Sequence, residues 1–131
     1  MMDACPLEAL RPNLESIRQK ASEEYRRDSK KIEAIWGTGL TVAREDELLW
    51  KELRFGTEMY HQHVVPDEVI RLWNIFGEAN QCVEQLKAWE MAGLDTFIAY
   101  VGAGGGKYIG KEPIQQMRDI AESVLPAFHG T

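Results

Sequence analysis

The sequence is poor in cysteine and has no long apolar run. Only two of its 131 residues are cysteines, so neither a disulfide framework nor a metal-binding spacing can be built from them. No apolar stretch approaches the roughly 20 residues that a membrane-spanning helix needs. The segment from Met1 to Pro6 lacks the basic and apolar regions of a signal peptide. We therefore expect a cytoplasmic protein without membrane contact.

Basic residues are also in the minority. The chain has 15 lysines and arginines against 21 acidic residues, and its formal net charge is -6. A protein that binds nucleic acid needs clustered cations to neutralise phosphates, and the sequence contains no basic stripe. The composition, 44% hydrophobic and 27% charged, is that of an ordinary globular chain long enough for one domain. We expect no nucleic-acid partner.

The two cysteines have simple interpretations. Cys82 lies on the apolar stripe of a predicted helix, which indicates a small buried hydrophobic residue. A nucleophilic role is the weaker alternative, because the neighbouring Gln81 and Val83 supply no activating base. Cys5 is expected to be a terminal thiol without a role.

The clearest pattern lies between Phe76 and Phe128 and consists of a helix, a strand, a glycine-rich loop and a second helix. The first helix starts at Gly77-Glu78. Gly93 ends it, because glycine tolerates the left-handed conformation that closes a helix. Apolar residues at intervals of three and four support this assignment. They are Ala79, Cys82, Val83, Leu86 and Trp89.

The strand and the closing helix follow. The apolar segment from Thr96 to Val101 predicts a strand, which is typical of a parallel sheet covered on both faces. Pro113 fits the first turn of the closing helix, where its missing N–H is not needed, and Pro126 ends or kinks that helix. The stripe of this helix is Ile114, Met117, Ile120, Val124 and Phe128.

The upstream half alternates in the same way. Helical patterns cover residues 12–28, 44–59 and 64–74. Residues 32–42 are rich in β-branched and aromatic side chains and predict a strand. Two strands joined by a helical crossover pair in parallel, and a two-stranded sheet leaves both edges open.

Five short segments carry a resemblance to a known family. Residues 77–86 look like a helix start with the pattern Gly-Thr-Pro-Glu-Glu, residues 92–95 precede a last strand, and residues 122–128 are similar to a closing segment. Residues 28–33 and 42–47 resemble a penultimate strand and the acidic helix after it. Together these segments resemble the luciferase-like flavin-dependent monooxygenases and their deazaflavin-dependent relatives.

The resemblance implies an α/β fold in which residues 1–131 form a single partial domain, the C-terminal portion of a TIM (β/α)8 barrel. Such barrels need roughly 250 residues, so two parallel strands with several helices would be present and the first strands absent. It also implies an oxidoreductase or monooxygenase that uses FMN or a deazaflavin on a small organic substrate. The isolated chain would be inactive and without cofactor unless the missing half of the barrel were supplied. Its catalytic residues are not identified.

The loop from Gly102 to Gly110 is the main candidate site. Its backbone N–H groups could cradle a phosphate, and under the resemblance it lies at the mouth of the barrel. The loop fits neither the Walker pattern nor Gly-x-Gly-x-x-Gly. The alternative is a mobile loop without a ligand. The candidate cofactor-binding residues are Gly104, Gly105, Gly106 and Lys107, and the candidate substrate-binding residue is Tyr108.

Three other patterns have simpler structural explanations. His61 and His63 lack a third ligand at a recognisable spacing, so a solvated turn is preferred and no metal is expected. The segment Trp36-Gly37-Thr38-Gly39 indicates either a planar ring close to the backbone or a bulge with Trp36 in the core. A set of aromatics at helical spacing indicates core or subunit contacts in preference to a cofactor site. The set is Trp50, Phe55, Tyr60, Trp73 and Phe76.

The open sheet edges support a second class of function. Two copies could complete one sheet, which would make the chain a non-catalytic oligomerisation or interaction module in the form of a homodimer. A truncated gene product without activity is a third alternative.

Overall fold

The computed structural model describes residues 6–128. Within these residues the α-helices are α1 (Leu7–Glu23), α2 (Glu47–His61), α3 (Asp67–Leu72), α4 (Ala79–Met91) and α5 (Pro113–Ser123). The strands are β1 (Ile35–Val42), β2 (Asn74–Gly77) and β3 (Thr96–Tyr100). Short 3-10 helices lie at Ser29–Lys31 and Leu125–Ala127. No helix in residues 6–128 is long and apolar enough to cross a membrane.

The helices of the C-terminal half lie where the sequence predicts them. The predicted apolar stripe of α5 was wrong at Ile114 and Met117, which are exposed. Gly93 stands just after α4 with φ +113, and Pro113 opens α5, as predicted. Pro126 lies in the 3-10 turn after α5.

The prediction for α1 was wrong at both ends, because the helix begins at Leu7, contains Pro12 and ends at Glu23. A proline inside the first turns removes one backbone hydrogen bond without stopping a helix whose apolar face is packed.

The three strands form one parallel sheet in the order β2-β1-β3. The prediction of an α/β chain with parallel strands is therefore confirmed. The predicted number of two strands was wrong, because β2 starts at Asn74, where the sequence predicted the end of a helix, and α3 ends at Leu72. A strand of four residues is too short to show a period of its own, so only pairing with β1 reveals it.

The order of the strands differs from the order expected for a barrel. β2 and β3 follow one another along the chain but lie on opposite sides of β1. In a barrel each strand lies beside the next one in the chain, whereas a central first strand is typical of an open, doubly wound sheet. The described residues thus show an α/β sheet and do not show the strand order of a barrel segment.

Two apolar layers cover the sheet. On one side, Trp36 stacks on Trp89 with ring centroids 3.9 Å apart, and α1, α4 and α5 complete this layer. On the other side, Phe76 packs with residues of α2 and α3. Alternate residues of a strand point to opposite faces, so one strand can supply both layers. The second layer consists of Leu49, Leu53, Val65, Ile70 and Phe76.

Cys82 belongs to the first layer. It is fully buried, and its thiol donates to the carbonyl of Gly77 at 3.5 Å. Burial raises the pKa of the Cys82 thiol to about 11, so the thiolate is disfavoured at neutral pH. The interpretation as a small buried residue is confirmed. Cys5 lies outside the described residues.

The third strand differs from its prediction. The apolar segment after Gly93 was expected to be buried on both faces, but β3 is an edge strand in which every residue except Phe97 is exposed. Phe97 alone packs against the first apolar layer. The apolar run therefore predicted the strand correctly and its burial wrongly. β3 is exposed because it lies at the opposite edge of the sheet from β2, where α2 and α3 pack.

Candidate functional site

A cavity of about 690 Å³ lies between α2, the strands β1 and β3, and the start of the loop after β3. We call it the sheet cavity. Its volume is within the range of small-molecule sites. It is lined by Trp36, Gly37, Thr38, Gly39, Thr41, Glu52, Leu53, Gly56, Thr57, Tyr60, His61, Trp73, Asn74, Ala99, Tyr100, Val101, Gly102, Ala103, Gly104 and Gln116.

The floor of the cavity is the backbone of β1 at two glycines. A Cβ atom on Gly37 would lie 3.0 Å from the Cε2 atom of Tyr100, and one on Gly39 would lie 2.3 Å from the Oδ1 atom of Asn74. The glycines therefore let the Tyr100 ring and the Asn74 amide approach the strand closely. β1 keeps an unbroken register with both neighbours, so the predicted bulge is absent, while Trp36 packs in the core as that interpretation required.

The wall beside β2 holds polar and aromatic groups in fixed positions. The Nδ2 atom of Asn74 donates to the Oγ1 atom of Thr57 at 3.1 Å and to the carbonyl of Ile70 at 2.9 Å. The rings of His61 and Trp73 lie 3.9 Å apart at an interplanar angle of 32°. These contacts tie α2, α3 and β2 together, which gives this wall a defined shape.

Glu52 is the acidic residue of the cavity lining. Its side chain is buried, with 4% of the residue exposed, and its Oε1 atom accepts from the backbone N–H groups of Tyr108 at 3.2 Å and Ile109 at 3.4 Å. The Oε2 atom is buried without a hydrogen-bond partner. A Cβ on Gly104 would lie 1.8 Å from this oxygen, so the glycine-rich loop fits closely around the carboxylate.

The four predicted cofactor-binding residues lie in different places, and only one of them lines the sheet cavity. Gly104 lines the sheet cavity, whereas Gly105 is exposed and Gly106 is buried outside the lining. The Nζ atom of Lys107 lies 5.3 Å from the ring centroid of Phe55, also outside the lining. These four residues do not converge on one point.

Tyr108, the predicted substrate-binding residue, also lies outside the cavity lining. Its ring packs edge-on to Phe55, with centroids 6.0 Å apart, and its N–H donates to Glu52. Other N–H groups of the loop also bond within the protein. The Gly105 N–H donates to the carbonyl of Gly102, and the Gly110 N–H donates to the carbonyl of Gly106, both at 2.9 Å. Much of the loop's donor capacity is therefore used inside the protein.

The histidine pair has no metal-binding partner among residues 6–128. The rings of His61 and His63 lie 6.2 Å apart, and the Nδ1 atom of His63 lies 2.7 Å from the carbonyl oxygen of His61. Within the described part of the chain, no group of three or more histidines, cysteines or acids could hold a metal.

The aromatic set is mostly in the core, as that interpretation predicted. Trp50 and Phe76 pack edge-on with centroids 5.4 Å apart beneath the Arg71 guanidinium. Trp73 packs against the second apolar layer and also lines the cavity. Tyr60 lines the cavity, and Phe55 contacts Tyr108.

Sequence reasoning missed Glu52, Thr57 and Asn74. A signal for Glu52 was present, because it lies on the buried stripe of α2 that also contains Leu49, Leu53 and Gly56. A charged residue inside an apolar stripe indicates a buried polar role. Asn74 carried no such signal, since its position depends on the unrecognised strand β2.

Comparison with known proteins gives no assignment. No protein-family model matches this sequence, and no curated protein matches it either. The function is therefore argued from the geometry of the sheet cavity.

Proposed function

We propose that this chain binds a small planar organic molecule in the sheet cavity. The observation that carries the proposal is a cavity of about 690 Å³ whose lining includes the aromatic residues Tyr60, Trp73 and Tyr100. A flat ring can stack on such aromatic side chains. Thr57 and Asn74 add polar groups to the lining, and the Thr57 hydroxyl, which accepts from Asn74, can still donate to a ligand.

The position of the cavity in the sheet also supports binding. β1 leads into α2, which packs in the second apolar layer, while β3 leads through its loop into α5, which packs in the first. The two connections leave the sheet in opposite directions, which opens a crevice at the carboxyl ends of the strands. Open α/β sheets bind ligands at such a switch point.

The flavin-dependent oxidoreductase is a narrower proposal that the resemblance alone supports. In it, this chain would hold the small organic substrate, and the flavin would carry out hydride transfer. The phosphate of FMN does not fit the sheet cavity, because no lysine or arginine is among its lining residues and Tyr108 and Ile109 donate to Glu52. The strand order also differs from that of a barrel. No catalytic step follows for this chain.

Binding is tested by titrating the protein with riboflavin, which has the flat ring without the phosphate, and with FMN. We expect riboflavin fluorescence to be quenched with saturation, and FMN to bind more weakly because its phosphate meets no cation. Ala103→Trp, which places an indole ring at a lining residue, should abolish the quenching. Ala121→Trp, an equal change at an exposed residue of α5, should leave it unchanged.

The proposal fails if neither compound saturates, or if both tryptophan variants bind as the wild type does. Tighter binding of FMN than of riboflavin would show that a phosphate site exists and would favour the flavin enzyme.

A second candidate function is a homodimer joined through β3. The observation that favours it is the exposed edge of β3, which carries no charged residue from Thr96 to Tyr100. Charged residues on an edge strand ordinarily block pairing with another chain. Two copies of β3 related by a two-fold axis could pair antiparallel and join their sheets into one.

The homodimer is tested by sedimentation equilibrium. We expect wild type to associate and Ile98→Lys to be monomeric, because pairing would bring two lysines together at the edge. Met91→Lys is the control, since Met91 is an exposed apolar residue of α4 and not of the edge strand. A wild-type chain that stays monomeric at every concentration contradicts this candidate.

A further inference from the structure

The carboxylate of Glu52 has no compensating cation in the described structure. None of the ion pairs found in residues 6–128 includes Glu52, and no lysine or arginine lines the sheet cavity. Two backbone N–H groups satisfy the Oε1 atom, whereas the Oε2 atom is buried without a partner. Buried charges in proteins are ordinarily paired, because removing them from water is costly.

The Oε2 atom lies immediately behind the backbone of Gly104, which itself lines the cavity. Glu52 and Gly104 both line the cavity, and residue 104 has no side chain to lie between this oxygen and a ligand. The interaction of its charge with a group in the cavity is therefore screened less than that of a surface charge.

Two other features of the chain, its aromatic rings and its net charge, also favour a cation in the cavity. The rings of Tyr60, Trp73 and Tyr100 line the cavity, and the face of an aromatic ring attracts cations. The chain as a whole carries a formal net charge of -6. An anionic ligand would meet repulsion from Glu52 and from the overall field.

We propose that the ligand of the sheet cavity is an organic cation, a planar amine or amidine, whose positive charge compensates the Glu52 carboxylate. This inference rests on the proposed function and adds the chemical class of the ligand. A protonated nitrogen supplies the positive charge that balances the Glu52 carboxylate, while the flat part of the molecule stacks on the aromatic side chains.

Three probes of nearly equal shape test the inference: benzamidine is a cation, benzamide is neutral and benzoate is an anion. Their dissociation constants are measured by calorimetry with the full chain at neutral pH. We expect benzamidine to bind about tenfold or more tightly than benzamide, and benzoate to bind most weakly, since a nearby opposite charge in a weakly screened site supplies at least this difference.

Glu52→Gln is the decisive variant, because its side-chain carbonyl can still accept from Tyr108 and Ile109 while the charge is lost. It should lose most of the tenfold preference for benzamidine over benzamide. Glu84→Gln makes the same change at an exposed residue of α4, in the opposite layer, and should keep the tenfold preference. Thermal unfolding checks that both variants are folded. If Glu52→Gln is unfolded, Tyr100→Leu replaces it and should weaken benzamidine binding more than benzamide binding.

The outcomes separate this inference from the proposed function. Equal binding of benzamidine and benzamide to the wild type, or stronger binding of benzoate, overturns the cation inference and leaves a neutral planar ligand in place. A tenfold preference for benzamidine that survives Glu52→Gln undiminished shows that another group causes it and also overturns the inference. Failure of all three probes and of riboflavin overturns both proposals together.

Discussion

Replacing Trp36 by alanine is expected to remove about 3–5 kcal/mol from the free energy of unfolding. Trp36 is buried in the centre of the first apolar layer, stacked on Trp89 and tilted against Phe97 with a centroid distance of 5.6 Å. Its loss leaves a cavity between β1, α4 and β3 that the surrounding elements cannot fill. Because small domains are stable by only about 5–15 kcal/mol, the variant should be near the limit of folding.

Urea unfolding followed by far-UV circular dichroism measures this loss. Tyr25→Ala is the control, because Tyr25 is an aromatic residue with 64% of its surface exposed, and surface changes of this kind usually alter stability by less than about 0.5 kcal/mol. If Trp36→Ala costs no more than Tyr25→Ala, the described packing of β1 against α4 is incorrect.

The second large effect is expected at Gly106. This residue has φ +78, and a Cβ atom would lie 1.7 Å from the carbonyl oxygen of Lys111. Gly106→Ala must therefore displace the loop backbone in addition to adopting a left-handed conformation. We expect a cost of about 3 kcal/mol, made up of about 1–2 kcal/mol for the conformation and a similar amount for the clash.

Gly105→Ala is a matched control for this clash. Gly105 has nearly the same backbone conformation, φ +74, but no atom lies within 4 Å of the place where its Cβ would be. The conformational cost of about 1–2 kcal/mol should therefore be present without the clash. Equal effects of the two substitutions on urea unfolding would show that Gly106 does not contact Lys111 in solution.

The sequence predicted those parts of the fold that depend on local signals. The stripe from Ala79 to Trp89 and the stop at Gly93 depend on helical spacing and on one glycine, and both are found as expected. The strand β1 was recognised from its β-branched and aromatic residues. These features need no knowledge of the rest of the chain.

Features that depend on long-range pairing could not be predicted in this way. β2 has only four residues, and its Asn74 is fixed by contacts with Thr57 and Gly39 that lie far away in the sequence. The exposure of β3 results from the order of the strands, which local patterns do not encode.

The candidate site shows the same limit. The glycine-rich loop was recognised as unusual, and its glycines were assigned to an external phosphate. The structure instead places the buried carboxylate of Glu52 against Gly104 and the N–H groups of Tyr108 and Ile109. A loop that can surround an anion can surround one from its own chain, and sequence spacing does not distinguish the two.

The most direct test of the account is a nuclear magnetic resonance titration of the ¹⁵N-labelled chain with riboflavin. Binding in the sheet cavity predicts saturable shifts of the amide signals of Gly37, Gly39, Tyr100 and Gly104, which lie around the cavity. Signals from the outer face of α4, such as that of Glu84, should stay in place. Shifts confined to residues outside the cavity, or no shifts at any concentration, would contradict the claim that the sheet cavity is a ligand site.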